Sequence, residues 1–169
     1  MFDIVAMGEL LIDFTMVSAD EKGYPVMAAH PGGAPANFLA AANKSGCSTA
    51  FIGKVGNDAF GNRLIATLDE IGTHTGGVIK SDEHFTTLAF VTLDETGNRE
   101  FSFSRKPGAD TMLRYEEVDL SLLDGTKLFH FGTLSLTDDP ARSTTKRLVD
   151  YAKSRGLLIS FDPNLRKPL

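Results

Sequence analysis

Short apolar runs alternate with helical segments that end at a glycine, and this alternation restricts the fold of the 169-residue chain more than any other feature. The predicted strands are residues 3–8, 49–56, 127–132 and 157–162, and the predicted helices run from Pro35 to Gly46, from Asn57 or Asp58 to Gly72, and from near Pro140 to Gly156. Strands that alternate with helices are typical of a parallel sheet covered by helices. The sequence therefore predicts an α/β protein.

Two β-rich inserts interrupt the alternation, at about residues 14–30 and 86–105. A turn sequence divides each insert into two strands, DEKG in the first and DETGN in the second. Neither insert contains a helical segment, so we expect both to pair into a small separate sheet. Phe101 and Phe103 fall on one face of a strand in the second insert, because side chains alternate between the two faces.

The charge balance excludes several classes of partner. Seventeen basic and 22 acidic side chains give a formal net charge of −5, whereas nucleic-acid binding requires a clustered basic surface. No apolar run approaches the roughly 20 residues that span a bilayer, and the acidic N-terminus lacks the early Lys or Arg of a secretory signal. Cys47 is the single cysteine, which fits a reducing compartment. We therefore expect a cytoplasmic protein that binds neither nucleic acid nor membranes.

The strongest local motif is the segment PGGAPAN at residues 31–37. Gly32 and Gly33 precede a predicted helix, so a ligand can approach the backbone there, and the unpaired N–H groups of the first turn can donate to hydroxyl oxygens or anions. The Asn37 amide lies about one turn inside the helix and reaches the same point. The alternative interpretation is a tight strand-to-helix turn whose glycines serve packing alone.

Asp13 is a second candidate, at the end of the apolar stretch GELLI and directly before Phe14. A carboxylate in this place can accept two hydrogen bonds from vicinal sugar hydroxyls, each of which is worth about 1.5–3 kcal/mol. The alternative is a solvated acid that ends a strand or forms a turn.

Other motifs give weaker evidence of a functional site. Residues 56–63 match the glycine spacing of a nucleotide-binding P-loop, but Asn62 replaces the required lysine. The four histidines are scattered without metal-ligand spacing, so no metal site is predicted. Arg105 and Arg166 are each suited to bind a phosphate or a carboxylate, or are ordinary surface arginines.

Six segments in order resemble the ribokinase-like (PfkB) carbohydrate kinases, and most closely the fructokinases. They are GELLIDF (8–14), PGGAPANFLAAANKSG (31–46), GKVGNDAFGNRL (53–64), REFSFSRKPGADTML (99–113), LFHFGTLSL (128–136) and SFDPNLR (160–166). Six ordered matches that cover essentially the whole chain are far more specific than any single motif.

The resemblance implies a three-layer α/β core with a mostly parallel sheet and a small β-sheet lid, and residues 1–169 as the N-terminal part of such a kinase domain. In this family the sugar lies between the core and the lid. By the resemblance, the positions that bind the sugar from beneath are Asp13, Gly32, Gly33 and Asn37, and those that bind it from the lid are Phe103 and Arg105. The resemblance also implies that Asn164 and Arg166 lie near the transferred phosphoryl group or the far end of the substrate.

The sequence also departs from the family. The signature Asp-Thr-x-Gly-Ala-Gly-Asp, which supplies the catalytic base and the anion hole in these kinases, is absent, and so is the Asn-x-x-Glu segment associated with magnesium. Asp110 in PGADT follows the lid directly and lacks the glycines, so we do not assign it this role. We expect the base beyond Leu169, an inactive 169-residue portion, and a complete protein that uses ATP and Mg²⁺.

The resemblance implies an ATP-dependent kinase that phosphorylates a primary hydroxyl of a monosaccharide, with fructose as the expected substrate. A 2-keto-3-deoxygluconate kinase is the alternative within this class, in which Arg105 and Arg166 meet the carboxylate of a sugar acid. A different class is a non-catalytic sugar-binding or dimerising module that ends at Leu169. Lid sheets in this family often pack against each other, so we expect a homodimer through the lid.

Overall fold

The computed structural model describes residues 1–93 and 99–164, with Leu93 and Arg99 described by their backbone only. The strands are β1 (Ile4–Met7), β2 (Leu11–Ala19), β3 (Pro25–Gly32), β4 (Thr49–Gly56), β5 (Thr73–Ser81), β6 (Leu88–Leu93), β7 (Arg99–Ser104), β8 (Leu128–Gly132) and β9 (Leu158–Asp162), and the helices are α1 (Ala34–Lys44), α2 (Ala59–Glu70) and α3 (Ala141–Ser154). Within these two ranges, no helix is both long enough and apolar enough to cross a membrane.

The main sheet of the described ranges has five strands in the order β5-β4-β1-β8-β9, and every neighbouring pair is parallel. From β1 the chain continues to β4 and β5 on one side, and it later returns to β8 and β9 on the other. In open α/β sheets, ligands bind beyond the carboxyl ends of the strands where the order reverses. The crevice between the ends of β1 and β8 is therefore the place where this topology favours a site.

Both faces of the main sheet are buried. Val5 and Met7 of β1 belong to an apolar cluster that includes Leu148 of α3. Ala6, which points to the opposite face, belongs to a second cluster with Leu39 of α1 and further residues of α2. Helices therefore cover the sheet on both sides, and the predicted three-layer α/β core is confirmed.

The two β-rich inserts form a separate sheet, as predicted. Its strand order is β3-β2-β6-β7, in which β2 and β6 are parallel and the other two pairs are antiparallel. Phe101 and Phe103 are half-buried on one face of β7, whereas Ser102 and Ser104 are exposed on the other. The predicted turn DETGN, residues 94–98, lies outside the described residues.

The helix ends also lie where the sequence predicts them. Pro35 occupies the first turn of α1, and Gly46, Gly72 and Gly156, which follow the three predicted helices, have φ values of 86°, 83° and 77°. Glycine adopts this left-handed conformation without a steric penalty, so it commonly ends helices. At the start of α2, the Asp58 side chain accepts a hydrogen bond from the Gly61 N–H group at 2.8 Å, which is a standard N-cap.

Strand β5 was not predicted from the sequence. Its sequence, THTGGVIKS, contains two adjacent glycines and lacks a continuous apolar run. In the described sheet it lies at an edge and pairs with β4 alone. An edge strand is specified mainly by backbone pairing with its neighbour, so its side chains carry a weak signal.

Candidate functional site

A cleft of about 720 Å³ lies between the small sheet and the carboxyl ends of the main-sheet strands. Its walls come from both parts of the structure. The small sheet contributes Leu11, Asp13, Thr15, Met16, Val17, Ser18, Ala19, His30, Val91, Phe101 and Phe103, and the core contributes Glu9, Gly33, Ala34, Asn37, Leu134 and Asn164. The cleft thus includes the crevice that the topology favours.

Strand register places Asp13 in the wall of the cleft. Asp13 of β2 is paired with His30 of β3 and with Ala89 of β6, and Ala89 is in turn paired with Phe103 of β7. These four residues form one row across the small sheet. Asp13 is half-buried in this row, with His30 on one side and Ala89 on the other, and Phe103 lies beyond Ala89.

Gly32 makes room for the Asp13 carboxylate. Gly32 of β3 pairs with Leu11 of β2, two residues before Asp13. A Cβ atom at Gly32 would collide with Asp13 Oδ2. The structure does not place Gly32 among the residues that line the cleft. Its contact with the site is through Asp13.

Gly33 brings the start of α1 against the segment that follows β1. It is the N-cap residue of α1 and has a φ of 126°, a conformation that favours glycine. A Cβ atom at Gly33 would collide with the backbone oxygen of Glu9. One turn further on, Asn37 is exposed and lines the cleft, and its backbone N–H group donates to the Gly33 oxygen at 3.0 Å.

Glu9 is a site residue that was not predicted from the sequence. Its relative exposure is only 3%, and its Oε1 atom accepts a hydrogen bond from the Ala34 N–H group at 2.8 Å. Its Oε2 atom is buried and has no hydrogen-bond partner among the described residues. Burial raises the pKa of Glu9 to about 7, against the lowering effect of the Ala34 hydrogen bond. The signal in the sequence was an acid directly after an apolar strand and its glycine.

Arg105, a predicted sugar-site residue, is buried against Asp110. Its side chain is buried beneath the cleft, and it is not among the described residues that line it. Nε donates to Asp110 Oδ2, Nη1 to Thr137 Oγ1 and Nη2 to the Leu134 carbonyl oxygen, each at 2.8 Å. Each nitrogen of the guanidinium group therefore has a protein partner. These contacts hold the guanidinium group between the small sheet and the segment that follows β8.

Asp110 is the buried partner of Arg105. Besides the ion pair, it accepts a hydrogen bond from the Thr87 hydroxyl group. Both carboxylate oxygens of Asp110 are therefore engaged in joining the small sheet to the core.

Two of the other predicted residues line the cleft, and one lies outside the residues that the structure describes. Phe103 lines the cleft beside Phe101, with ring centroids 6.3 Å apart. Asn164, just beyond β9, is half-buried and lines the core side. Arg166 lies outside the described residues. His30 was considered only as a metal ligand and is a further cleft residue that was missed.

Two further segments bear on the motifs of the sequence. Gly61, in the segment that resembles a P-loop, is a packing glycine, because a Cβ atom there would collide with the Gly56 carbonyl oxygen. Across residues 1–93 and 99–164, no group of three or more His, Cys, Asp or Glu side chains is arranged to hold a metal ion.

The chemistry of the cleft suits a neutral ligand with several hydroxyl groups. Asp13 offers a carboxylate and Asn37 an amide, and the aromatic rings of Phe101 and Phe103 form an apolar wall. Among the described residues that line the cleft there is no lysine or arginine. A carboxylate or phosphate group would therefore meet no permanently charged cation among these described residues.

Comparison with known proteins places the whole chain in one group. The family model described as "pfkB family carbohydrate kinase" matches residues 1–169. Among the most similar curated relatives, Fructokinase-2 of Oryza sativa subsp. japonica is 45% identical over 170 residues, which cover 98% of this chain and 50% of the relative. Probable fructokinase-3 of Arabidopsis thaliana is 44% identical, with coverage of 98% and 49%.

Solved structures give the same result. The crystal structure of fructokinase from Xylella fastidiosa matches with a TM-score of 0.92 and 34% identity, over 97% of this chain and 51% of that chain. The structure of fructokinase with bound ATP from the same organism matches with a TM-score of 0.91 and 33% identity, over 99% and 50%. The chain thus spans about half the length of the relatives that it matches.

Proposed function

The chain belongs to the pfkB family of carbohydrate kinases, and from this premise we propose that the protein is an ATP-dependent fructokinase in which these residues supply the sugar-binding cleft. The observation that carries the proposal is the position of Asp13, Asn37 and Phe103 around one cleft between the small sheet and the core. The relatives are named fructokinases, which supports fructose as the sugar.

We assign the binding of sugar hydroxyl groups to Asp13 and Asn37. The Asp13 carboxylate accepts hydrogen bonds from two neighbouring hydroxyls, and charge-assisted bonds of this kind are about twice as strong as neutral ones. The Asn37 side chain offers both a donor and an acceptor at the start of α1. The Phe103 ring packs against the apolar face of the sugar from the small sheet.

The small sheet serves as a lid over the reacting hydroxyl. Phe101 and Phe103 present an apolar surface to the cleft, and closure of such a surface excludes water from the transferred phosphoryl group. Exclusion of water limits the hydrolysis of ATP and strengthens the electrostatic contacts with the sugar.

ATP is the second substrate and supplies the phosphoryl group. A related fructokinase structure is described with bound ATP, which supports this assignment. Asn164, on the core side of the cleft, is proposed to lie near the transferred group. The described residues offer no cluster that fits Mg²⁺, so these residues are assigned only the binding and orientation of the sugar.

The cleft favours fructose over a sugar acid such as 2-keto-3-deoxygluconate. A substrate carboxylate would face Glu9 and Asp13 in the cleft, and like charges brought together weaken binding. Arg105, which was predicted as a carboxylate partner, is engaged by Asp110. The described lining residues include no lysine or arginine, and this supports fructose over the sugar acid.

We also propose that the protein is a cytoplasmic homodimer that pairs through the small sheet. Met16, Val17, Tyr24 and Val26 on β2, β3 and their connection are exposed apolar side chains. A patch of this kind at the edge of a sheet supports self-association. The single cysteine agrees with a reducing compartment.

The experiment that tests the function is a phosphoryl-transfer assay with the protein as it occurs in its source. ADP release is measured with D-fructose, with 2-keto-3-deoxygluconate and without sugar. The proposal predicts ADP release that depends on fructose and a kcat/KM for the sugar acid at least about tenfold lower. A preference for the sugar acid, or ADP release that is independent of either sugar, would contradict it.

A further inference from the structure

Glu9 occupies an unusual place for a charged residue. It follows β1 by two positions and lies at the carboxyl end of that strand, next to the point where the strand order reverses. Only 3% of its surface is exposed. Carboxyl groups are seldom buried to this extent without a partner for each oxygen, because removal from water is costly.

One oxygen of Glu9 caps helix α1 from a distant part of the chain. Oε1 accepts the Ala34 N–H group at 2.8 Å, whereas the N-cap residue, Gly33, has no side chain that could do so. The N-terminus of a helix carries a partial positive charge and unpaired N–H groups, so a carboxylate there fixes the first turn strongly. Glu9 therefore ties α1 to the segment between β1 and β2.

The other oxygen lies near the end of β8. Oε2 has no hydrogen-bond partner among the described residues and is buried. A Cβ atom at Gly132, the last residue of β8, would lie 3.9 Å from Oε2. The carboxyl group thus lies between β1, α1 and the end of β8, and Glu9 is itself one of the residues that line the cleft.

Charged groups near Glu9 do not compensate for its burial. Asp110 raises the pKa of Glu9 and Arg105 lowers it, and these two groups are already paired with each other. A buried carboxyl group with one unsatisfied oxygen weakens the fold rather than stabilising it. Its location at the cleft therefore indicates a role in the site.

We propose that Glu9 is a positioning residue of the sugar site, which holds the first turn of α1 so that Gly33 and Asn37 stay in place opposite Asp13. The inference rests on the proposed function, because it concerns the affinity for the sugar. Glu9 acts through the Ala34 N–H group and does not itself need to touch the sugar.

The test compares three variants of the protein as it occurs in its source. Glu9→Met removes the acceptor at nearly constant volume, and Glu9→Gln keeps an oxygen that can accept the Ala34 N–H group. Glu70→Gln is the matched control, because Glu70 is an exposed residue of α2 that pairs with Arg63. Calorimetry measures the affinities for D-fructose and ATP. NMR records the chemical shift of the Ala34 amide proton, which lies downfield while the Glu9 side chain accepts its hydrogen bond.

We expect Glu9→Met to weaken D-fructose binding by about tenfold or more, since the acceptor of the Ala34 N–H group is lost, and to leave ATP binding within twofold. The Ala34 signal should move upfield. Glu9→Gln should recover most of the D-fructose affinity, and Glu70→Gln should match the unsubstituted protein in every measurement.

Two outcomes overturn the inference, and each has a different meaning. If the unsubstituted protein does not bind D-fructose, the proposed function fails and the sugar-site role fails with it. If the protein binds D-fructose but Glu9→Met leaves that affinity unchanged, or weakens ATP binding equally, the proposed function stands and Glu9 is not a positioning residue of the sugar site. Circular dichroism of each variant shows whether it is folded before either result is interpreted.

Discussion

At the scale of single residues, two carboxyl groups of the cleft have opposite environments. Asp13 is half-buried in a row of the small sheet, with its carboxylate beside the space that Gly32 leaves. Glu9 is buried, and the pKa of its carboxyl group rises to about 7. The two side chains are therefore suited to different tasks. We propose that Asp13 accepts hydrogen bonds from the sugar, whereas Glu9 binds the backbone N–H group of Ala34.

Asp13→Asn should raise the KM for D-fructose by about 10- to 100-fold, because two charge-assisted hydrogen bonds become neutral ones. The KM for ATP should stay within twofold. Steady-state kinetics with each substrate varied in turn measures both values. Asp150→Asn, an exposed position on α3, is the control. An unchanged KM for D-fructose would remove Asp13 from the site.

Glu9 also predicts how stability depends on pH. Its pKa in the folded protein, about 7, lies above the ordinary value of 4.5. Between these values the folded protein retains a proton that the unfolded chain has lost. The free energy of unfolding should therefore fall as the pH rises through this window, by about 3 kcal/mol in total.

Glu9→Gln should remove this pH dependence. Chemical denaturation at several pH values between 4.5 and 8 measures the free energy of unfolding of both proteins. We expect the difference between Glu9→Gln and the unsubstituted protein to shift in favour of the variant as the pH rises. A difference that is constant across the window would show that Glu9 ionises as freely in the folded protein as in the unfolded chain.

At the scale of elements, the start of α1 is the part of the site that depends most on backbone geometry. Gly33→Ala places a Cβ atom against the Glu9 carbonyl oxygen and forces a left-handed conformation. We expect a loss of stability of about 1–3 kcal/mol together with weaker D-fructose binding. Gly72→Ala is the matched control, because Gly72 has a φ of 83° and open space around it.

Gly72→Ala should therefore lower stability without any change in the affinity for D-fructose. Thermal unfolding and calorimetry of the two variants separate the backbone strain from the effect on the site. Equal D-fructose affinities for both variants would contradict the role of the α1 N-terminus.

The small sheet is joined to the core by the buried pair of Arg105 and Asp110. Arg105→Ala should lower the free energy of unfolding by about 3–5 kcal/mol, because it leaves the Asp110 charge buried without its partner. Arg63→Ala, which breaks an exposed pair with Glu70, should cost at most about 1 kcal/mol. Denaturant unfolding measures both. Similar values for the two variants would show that the buried pair does not join the sheet to the core.

Most elements could be predicted from the sequence because their signals are local. Apolar runs specify β1 and β4, and glycines end the helices. The partner of a long side chain depends on the fold, so the sequence did not indicate that Arg105 pairs with the buried Asp110. Glu9 was missed for the same reason, since its role depends on α1, 25 residues further along the chain.

At the scale of the whole molecule, the site exists only because the two sheets meet. The main sheet supplies the floor at the point between β1 and β8 where the strand order reverses. The small sheet supplies the row that contains Asp13 and Phe103. Neither sheet alone encloses the cleft of about 720 Å³. The sequence pattern predicts each sheet, and the resemblance to the family indicates that they enclose a sugar.

The central claim is that this cleft binds the sugar, and the most direct measurement is a crystal structure of the protein with D-fructose. We expect the sugar between the small sheet and the core, with two of its hydroxyl groups on the Asp13 carboxylate, one on the Asn37 side chain and the Phe103 ring against its apolar face. D-fructose bound at another place, or an empty cleft at a saturating concentration of the sugar, would contradict the claim.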